Sequence, residues 1–165
     1  MNTLYLIRHA KSSWDYPELR DVERPLNKRG RRDAPFMASL LKGKGVQPDL
    51  LVSSPATRAY STAVYFAEAL DYPAEAIRVV PTIYHGGEED VLQYVRQLDD
   101  RYHTVLLFGH NPVLTALANR FSQTYISNVP TCGIVRIDSP HTTWSNFSKT
   151  DARMVEFLYP KQYFT

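Results

Sequence analysis

Two arginines and two histidines stand where they could do chemistry together. Arg8-His9 closes the apolar run Leu4-Tyr5-Leu6-Ile7. Arg58 lies one helical turn past Pro55 in Ser53-Ser54-Pro55-Ala56-Thr57-Arg58, behind the run Leu50-Leu51-Val52. His110 follows Gly109 at the end of Val105-Leu106-Leu107-Phe108. A guanidinium offers forked donors to a tetrahedral oxyanion, and two of them match the charge of a phosphate monoester, which is close to a dianion at neutral pH. An uncharged imidazole can attack phosphorus and carry the phosphoryl group covalently. The chemistry such a set could do is phosphoryl transfer through a histidine. Taken singly, each residue has a plainer reading: a surface arginine beside a packed histidine, a charge on a helix face, a loop with a capping asparagine. Their coincidence at three similar places gives them weight.

The elements that must position them follow from the apolar runs. Short, continuously apolar segments read as strands buried on both faces, the habit of a parallel sheet. Behind the second and third runs, Tyr60, Ala63, Val64, Ala67 and Leu70, and then Val113, Leu114, Leu117, Ala118 and Phe121, repeat at helical spacing. Pro55 and Pro112 are expected at first helical positions, with Ser54 and Asn111 as N-caps. Met37, Leu40 and Leu41 predict a helix before Gly43, which Pro35 should kink or begin. Val91, Leu92, Val95 and Leu98 predict another. Ile77–Val80, Gly133–Ile137, Thr143–Phe147 and Arg153–Leu158 read as further strands. The expected architecture is one α/β domain over 1–165, a three-layer α/β/α arrangement with a mainly parallel central sheet and a late antiparallel edge. In such sheets, ligands bind beyond the carboxyl ends of the strands, where the four residues are predicted to lie. The helix N-termini behind Ser54 and Asn111 would add oriented N–H groups and positive dipole ends.

Composition narrows the classes. The 165 residues are 44% hydrophobic and 22% charged, with a formal net charge of +2, too little for a nucleic-acid or membrane surface by itself. No apolar stretch approaches the roughly 20 residues that cross a bilayer, and Leu4–Ile7 is too short for a signal-peptide core, so a soluble, cytoplasmic protein is expected. The one cysteine, Cys132, cannot form an internal disulfide. It lacks the arginine six positions on that a cysteine phosphatase needs, since that residue is Asp138, and reads as a buried structural thiol. The basic cluster Lys28-Arg29-Gly30-Arg31-Arg32 could contact nucleic acid as a non-catalytic module, but reads more simply as a solvated helix turn.

The ordered motifs resemble one family. Leu4-Tyr5-Leu6-Ile7-Arg8-His9-Ala10 resembles the Arg-His-Gly signature of the histidine phosphatase superfamily, which has the phosphoglycerate mutase-like fold. Val52 through Ala63 resembles its second motif and Phe108-Gly109-His110-Asn111 its third. Ala10 in place of glycine, the stretch Asp21-Val22-Glu23-Arg24-Pro25-Leu26-Asn27-Lys28-Arg29-Gly30, the Trp144 region and Leu158-Tyr159-Pro160-Lys161 are similar to the short SixA-type phosphohistidine phosphatases, so the likeness spans the chain. It implies His9 as nucleophile, Arg8, Arg58 and His110 as the rest of the phosphate pocket, and Ser12 as a hydroxyl near the phosphate. Asp15 stands where many mutase-type members place an asparagine, and no phosphate contact is assigned to it.

The mechanism this implies needs no metal and no cofactor. Neutral His9, its pKa held down by Arg8 and Arg58, attacks phosphorus; a protonated His110 and the arginines stabilise the oxygens; water hydrolyses the phosphohistidine. The proton donor of classical members is out of register in Pro81-Thr82-Ile83-Tyr84-His85-Gly86-Gly87-Glu88. Asp21 and Glu88 are the candidate general acids, against a capping or Arg24-pairing job for Asp21 and a first-turn job for Glu88, Glu89 and Asp90. A weak acid suits P–N better than P–O cleavage. The expected partner is a phosphorylated substrate, a protein phosphohistidine above all, rather than nucleic acid or membrane. The nearest alternative is a small-molecule phosphomonoesterase on the same site.

Overall fold

The apolar runs feed two cores at once. In the computed structural model, which describes residues 1–164, Leu4 and Leu6 of strand β1 (Asn2–Arg8) pack into one buried cluster while Tyr5 and Ile7 pack into the other. The same alternation splits Leu50 and Val52 from Leu51 in β2 (Leu50–Ser53), and Val105 and Leu107 from Leu106 and Phe108 in β4 (Thr104–Gly109). A strand with both faces apolar needs a layer on each side. Helices α1 (Lys28–Gly43) and α2 (Thr57–Ala69) cover one face, with Met37, Leu41, Ala63 and Phe66 buried there. The short α3 (Thr82–His85), α4 (Glu88–Arg96) and α5 (Val113–Phe121) cover the other through Ile83, Val91, Leu92, Leu114 and Leu117.

The sheet order among the described residues is β3-β2-β4-β1-β5-β6, with β3 (Arg78–Val79), β5 (Ile134–Ser139) and β6 (Arg153–Leu158) completing it. The first four of that order run parallel, and β5 and β6 add the antiparallel edge. The expected α/β architecture is therefore the observed one.

Three local expectations need correction. Thr143–Phe147 holds a 3-10 turn over Trp144–Asn146, because the Trp144 backbone N–H goes to Asp100 Oδ1 (2.9 Å) and its indole N–H to Tyr102 O (2.8 Å) rather than to a strand. Helix α2 starts at Thr57 and α5 at Val113, both later than Pro55 and Pro112 suggest. Ser54 Oγ accepts from Ala56 N (3.1 Å) ahead of the helix, whereas Asn111 Oδ1 does bond the first turn through Thr115 N (3.2 Å). Pro35 does not begin α1: Asn27 Oδ1 caps Gly30 N (2.9 Å) well upstream, and Pro35 lies inside the helix on its exposed face.

One glycine ties α1 to the loop after β1. A Cβ on buried Gly30 would lie 2.2 Å from the carbonyl oxygen of Lys11, which itself accepts from Asn27 N at 2.9 Å. Backbone cannot yield as a side-chain tip can. Gly30→Ala should therefore destabilise the fold by about 1–3 kcal/mol or more. A urea midpoint equal to the parent's would count against this close approach.

Candidate active site

Neighbouring parallel strands end level with one another. Arg8 pairs with Gly109 across β1 and β4, and Ser53 with Phe108 across β2 and β4. His9, one residue past β1, extends that ladder with its N–H to Gly109 O (3.1 Å), and His110 steps off β4 beside it. The two imidazole rings stand 5.3 Å apart, centre to centre. Arg58, at the second position of α2, is buried, as is His9 at 7% exposure. Charge from Arg58 and Arg8 is felt at both rings. The structure thus brings all four residues to one place.

The backbone around them is tightly held. Thr62 Oγ1 accepts from Ala10 N (3.0 Å) and donates to Arg58 O (2.7 Å), joining the loop after β1 to α2. Cys132, in the left-handed region at φ 59°, directs its N–H to the carbonyls of Arg8 and His9 (both 3.0 Å). Its thiol is fully buried, and burial pushes its pKa up, consistent with a structural role.

His9 Nδ1 lies 2.7 Å from Ala10 O. A carbonyl only accepts, so Nδ1 carries the proton and Nε2 keeps its lone pair. Burial is the main force lowering the His9 pKa, to about 3; the Ala10 bond opposes it, and His110, Arg58 and Arg8 add smaller repulsions. The expected direction holds, but desolvation rather than the arginines dominates.

His110 departs from expectation. Burial first, then Arg58, with Asp21 opposing, lowers its pKa to about 4, so without a bound anion it is neutral rather than protonated. Its Nε2 lies 2.8 Å from Ser54 Oγ, and Nδ1 is buried with no protein partner. The Ser54 hydroxyl also accepts from Ala56 N (3.1 Å), ahead of α2. Arg8 donates through Nη1 to Val129 O (3.1 Å), leaving Nε buried and unpartnered.

The other predicted residues fall around this set. Ser12 is buried, and its Oγ accepts from Arg24 Nη2. Asp21 accepts from Arg24 Nη1 (3.0 Å), as expected, and also from Arg58 Nη2 (3.0 Å) and Tyr84 OH (2.8 Å), while its carbonyl takes Arg58 Nη1 (2.7 Å). Partial burial would raise its pKa, but the bonds from Tyr84, Arg24 and Arg58 prevail and hold it at about 2. Glu88 is bound to Arg120 (2.7 Å) in the first turn of α4, and Asp90 caps Gly87 N (2.9 Å). Asp15 is exposed. The basic cluster forms the first turn of α1, with Arg29 on Thr131 Oγ1 (3.0 Å), Arg31 on Leu26 O (2.9 Å) and Arg32 on Asp33 (2.9 Å).

Arg24, Tyr84 and Ser54 were not legible as site residues. Arg24 is buried, reaches Ser13 O (3.1 Å), and carries Trp14 stacked 3.3 Å from its guanidinium. Tyr84 meets the His110 ring edge-on at 5.5 Å. Among the described residues, no group of three or more His, Cys, Asp or Glu side chains is arranged to hold a metal ion, and no helix is long and apolar enough to cross a membrane.

Known proteins with these features share one family. A family model described as histidine phosphatase superfamily (branch 1) matches residues 4–80. An uncharacterised chloroplastic protein of Arabidopsis thaliana is 32% identical over 149 residues, covering 86% of this chain and 68% of its own. A crystal structure assigned as phosphohistidine phosphatase SixA from Agrobacterium tumefaciens superposes with a TM-score of 0.81 at 28% identity, covering 96% of this chain and 98% of the other. The protein histidine phosphatase SixA complexed with tungstate shares the fold at a TM-score of 0.81 and 21% identity, over 97% and 98% of the two chains. Motifs, architecture and relatives agree: the chain belongs to the histidine phosphatase superfamily and has its phosphoglycerate mutase-like fold.

Proposed function

We propose that the chain is a phosphatase in which Nε2 of His9 takes the phosphoryl group from a protein phosphohistidine, and that water then releases it without a metal ion. The observation that carries this reading is the hydrogen bond from His9 Nδ1 to Ala10 O, inside a buried basic cluster. It fixes the attacking lone pair on Nε2, while burial keeps the ring uncharged at neutral pH. Arg8, His110 and the guanidinium of Arg58 supply the charge and donors for the phosphoryl oxygens. Because Ser12 Oγ accepts from Arg24, its own proton is available to a further oxygen. Arrival of a dianion raises the pKa of His110, so the ring charges when it is needed.

In the first step the Nε2 lone pair attacks phosphorus in line, and the bond to the leaving group breaks with its electron pair. In the second, water attacks phosphorus, the P–Nε2 bond returns its pair to His9, and the water proton leaves with phosphate or solvent. The substrate class rests on the missing acid: Glu88 is committed to Arg120 and Asp21 is ionised. An alkoxide leaving group suffers from that; a protonated imidazole does not. Without a general acid, a small alkyl ester such as glycerol 2-phosphate should show a kcat/KM at least about a hundredfold below that of a phosphohistidine-bearing protein. Equal or better turnover of the ester would move the assignment to a phosphomonoesterase on the same residues.

A further inference from the structure

The carboxylate of Asp21 is an anion already seated on the arginine that should receive the substrate. Arg58 spends one N–H on Asp21 Oδ2 (3.0 Å) and one on its carbonyl (2.7 Å). Arg24, three residues further along the same turn, and Tyr84 of α3 brace the same carboxylate (3.0 and 2.8 Å). A guanidinium has five N–H donors, so Arg58 can hold Asp21 and a phosphoryl oxygen together. The charge of Asp21 therefore stays in the site when substrate binds.

Its position relative to the reaction coordinate follows from exposure. His9 lies on the floor at 7% exposure, whereas the Asp21 side chain is 50% exposed. In-line displacement puts the leaving group on the side of phosphorus opposite buried His9, toward solvent, to which the Asp21 side chain is half exposed.

Resting on the phosphatase reading above, we propose that Asp21 is a specificity-determining residue, whose fixed negative charge favours a leaving group that departs from a cationic nitrogen and disfavours esters and free phosphate. When a phosphorylated imidazolium reacts, the P–N bond breaks and its electron pair returns to the ring. The ring entered with a proton on its other nitrogen and leaves neutral, so the protein supplies no proton. When an ester reacts, the pair stays on oxygen, and negative charge grows beside Asp21. At each point along the path the nitrogen leaving group is more positive by one unit charge. An ionised carboxylate, as Asp21 is here, separates the two. The same charge opposes the dianionic product and so speeds its departure. Solvent screening at a half-exposed side chain limits the effect to about tenfold.

The test uses probes of matched size, phosphoimidazole and phenyl phosphate, together with direct binding of inorganic phosphate. In Asp21→Asn, the ratio of kcat/KM for phosphoimidazole to that for phenyl phosphate should fall about tenfold, and phosphate should bind about tenfold more tightly. Tyr84→Phe, which removes one brace and keeps the ring, should shift both in the same sense by less. Equal loss on both substrates with unchanged phosphate affinity would reduce Asp21 to a structural role and overturn the proposal. So would selective loss of ester turnover, which would make Asp21 the proton donor. If the parent protein hydrolyses neither probe, the functional reading fails, while phosphate binding by parent and variants still tests Asp21 alone.

Discussion

His9→Ala should abolish both turnover and the phosphorylated intermediate, with kcat falling on the order of a thousandfold or more. Trapping the protein with labelled substrate in an acid-free quench, followed by peptide mapping, should place the label on His9 in the parent and nowhere in the variant. The size of the effect follows from the site's construction. The side chains of Arg8, Arg58 and His110 can still bind phosphate without His9, but only its Nε2 is prepared as a nucleophile by the Nδ1 bond to Ala10 O. The variant should therefore keep its affinity for inorganic phosphate while losing chemistry. Residual turnover within tenfold of the parent would show that water, rather than His9, attacks phosphorus.

The four central residues were legible because each follows an apolar run whose strand character is unambiguous, and sheets of this class place such residues on one rim. The register confirms the reasoning: Arg8 stands opposite Gly109, so His9 and His110 are neighbours by strand pairing alone. What escaped the sequence was the second ring of contacts. Arg24 looked like one arginine among nineteen basic residues, and nothing local showed that it would be buried against Ser12, Ser13 and Trp14. Tyr84 became a site residue only because α3 packs beside β4 and turns it toward His110. The same limit produced the errors. Thr143–Phe147 has strand composition, yet Asp100 and Tyr102, more than forty residues away, take the hydrogen bonds of Trp144. The protonation of His110 was misjudged because adjacency to charge can be guessed from motifs, whereas burial cannot, and burial is the larger effect on both rings.

That burial has a cost in acid. In the folded protein His9 holds off its proton down to about pH 3 and His110 to about pH 4, whereas in the unfolded chain both titrate near 6.5. Between those values the unfolded state binds protons that the folded state refuses. Stability then rises with pH, and falls as pH drops below about 6.5. At pH 4.5 the two rings together should remove on the order of 5 kcal/mol, a large share of the 5–15 kcal/mol typical of a domain. Asp21 does not enter this window: its lowered pKa stabilises the fold above about 3.8, and that contribution is lost only below it, toward pH 2. Urea unfolding at pH 7.0 and 4.5 measures the difference, and a double variant, His9→Gln with His110→Gln, should be nearly flat over the same interval. If parent and double variant lose stability in parallel, the rings are not the source, and the picture of two neutral imidazoles buried among arginines is wrong. If they diverge as expected, acid sensitivity and nucleophilicity have one cause, because the dry surroundings that keep the attacking nitrogen of His9 free of a proton are what make protonating it so unfavourable.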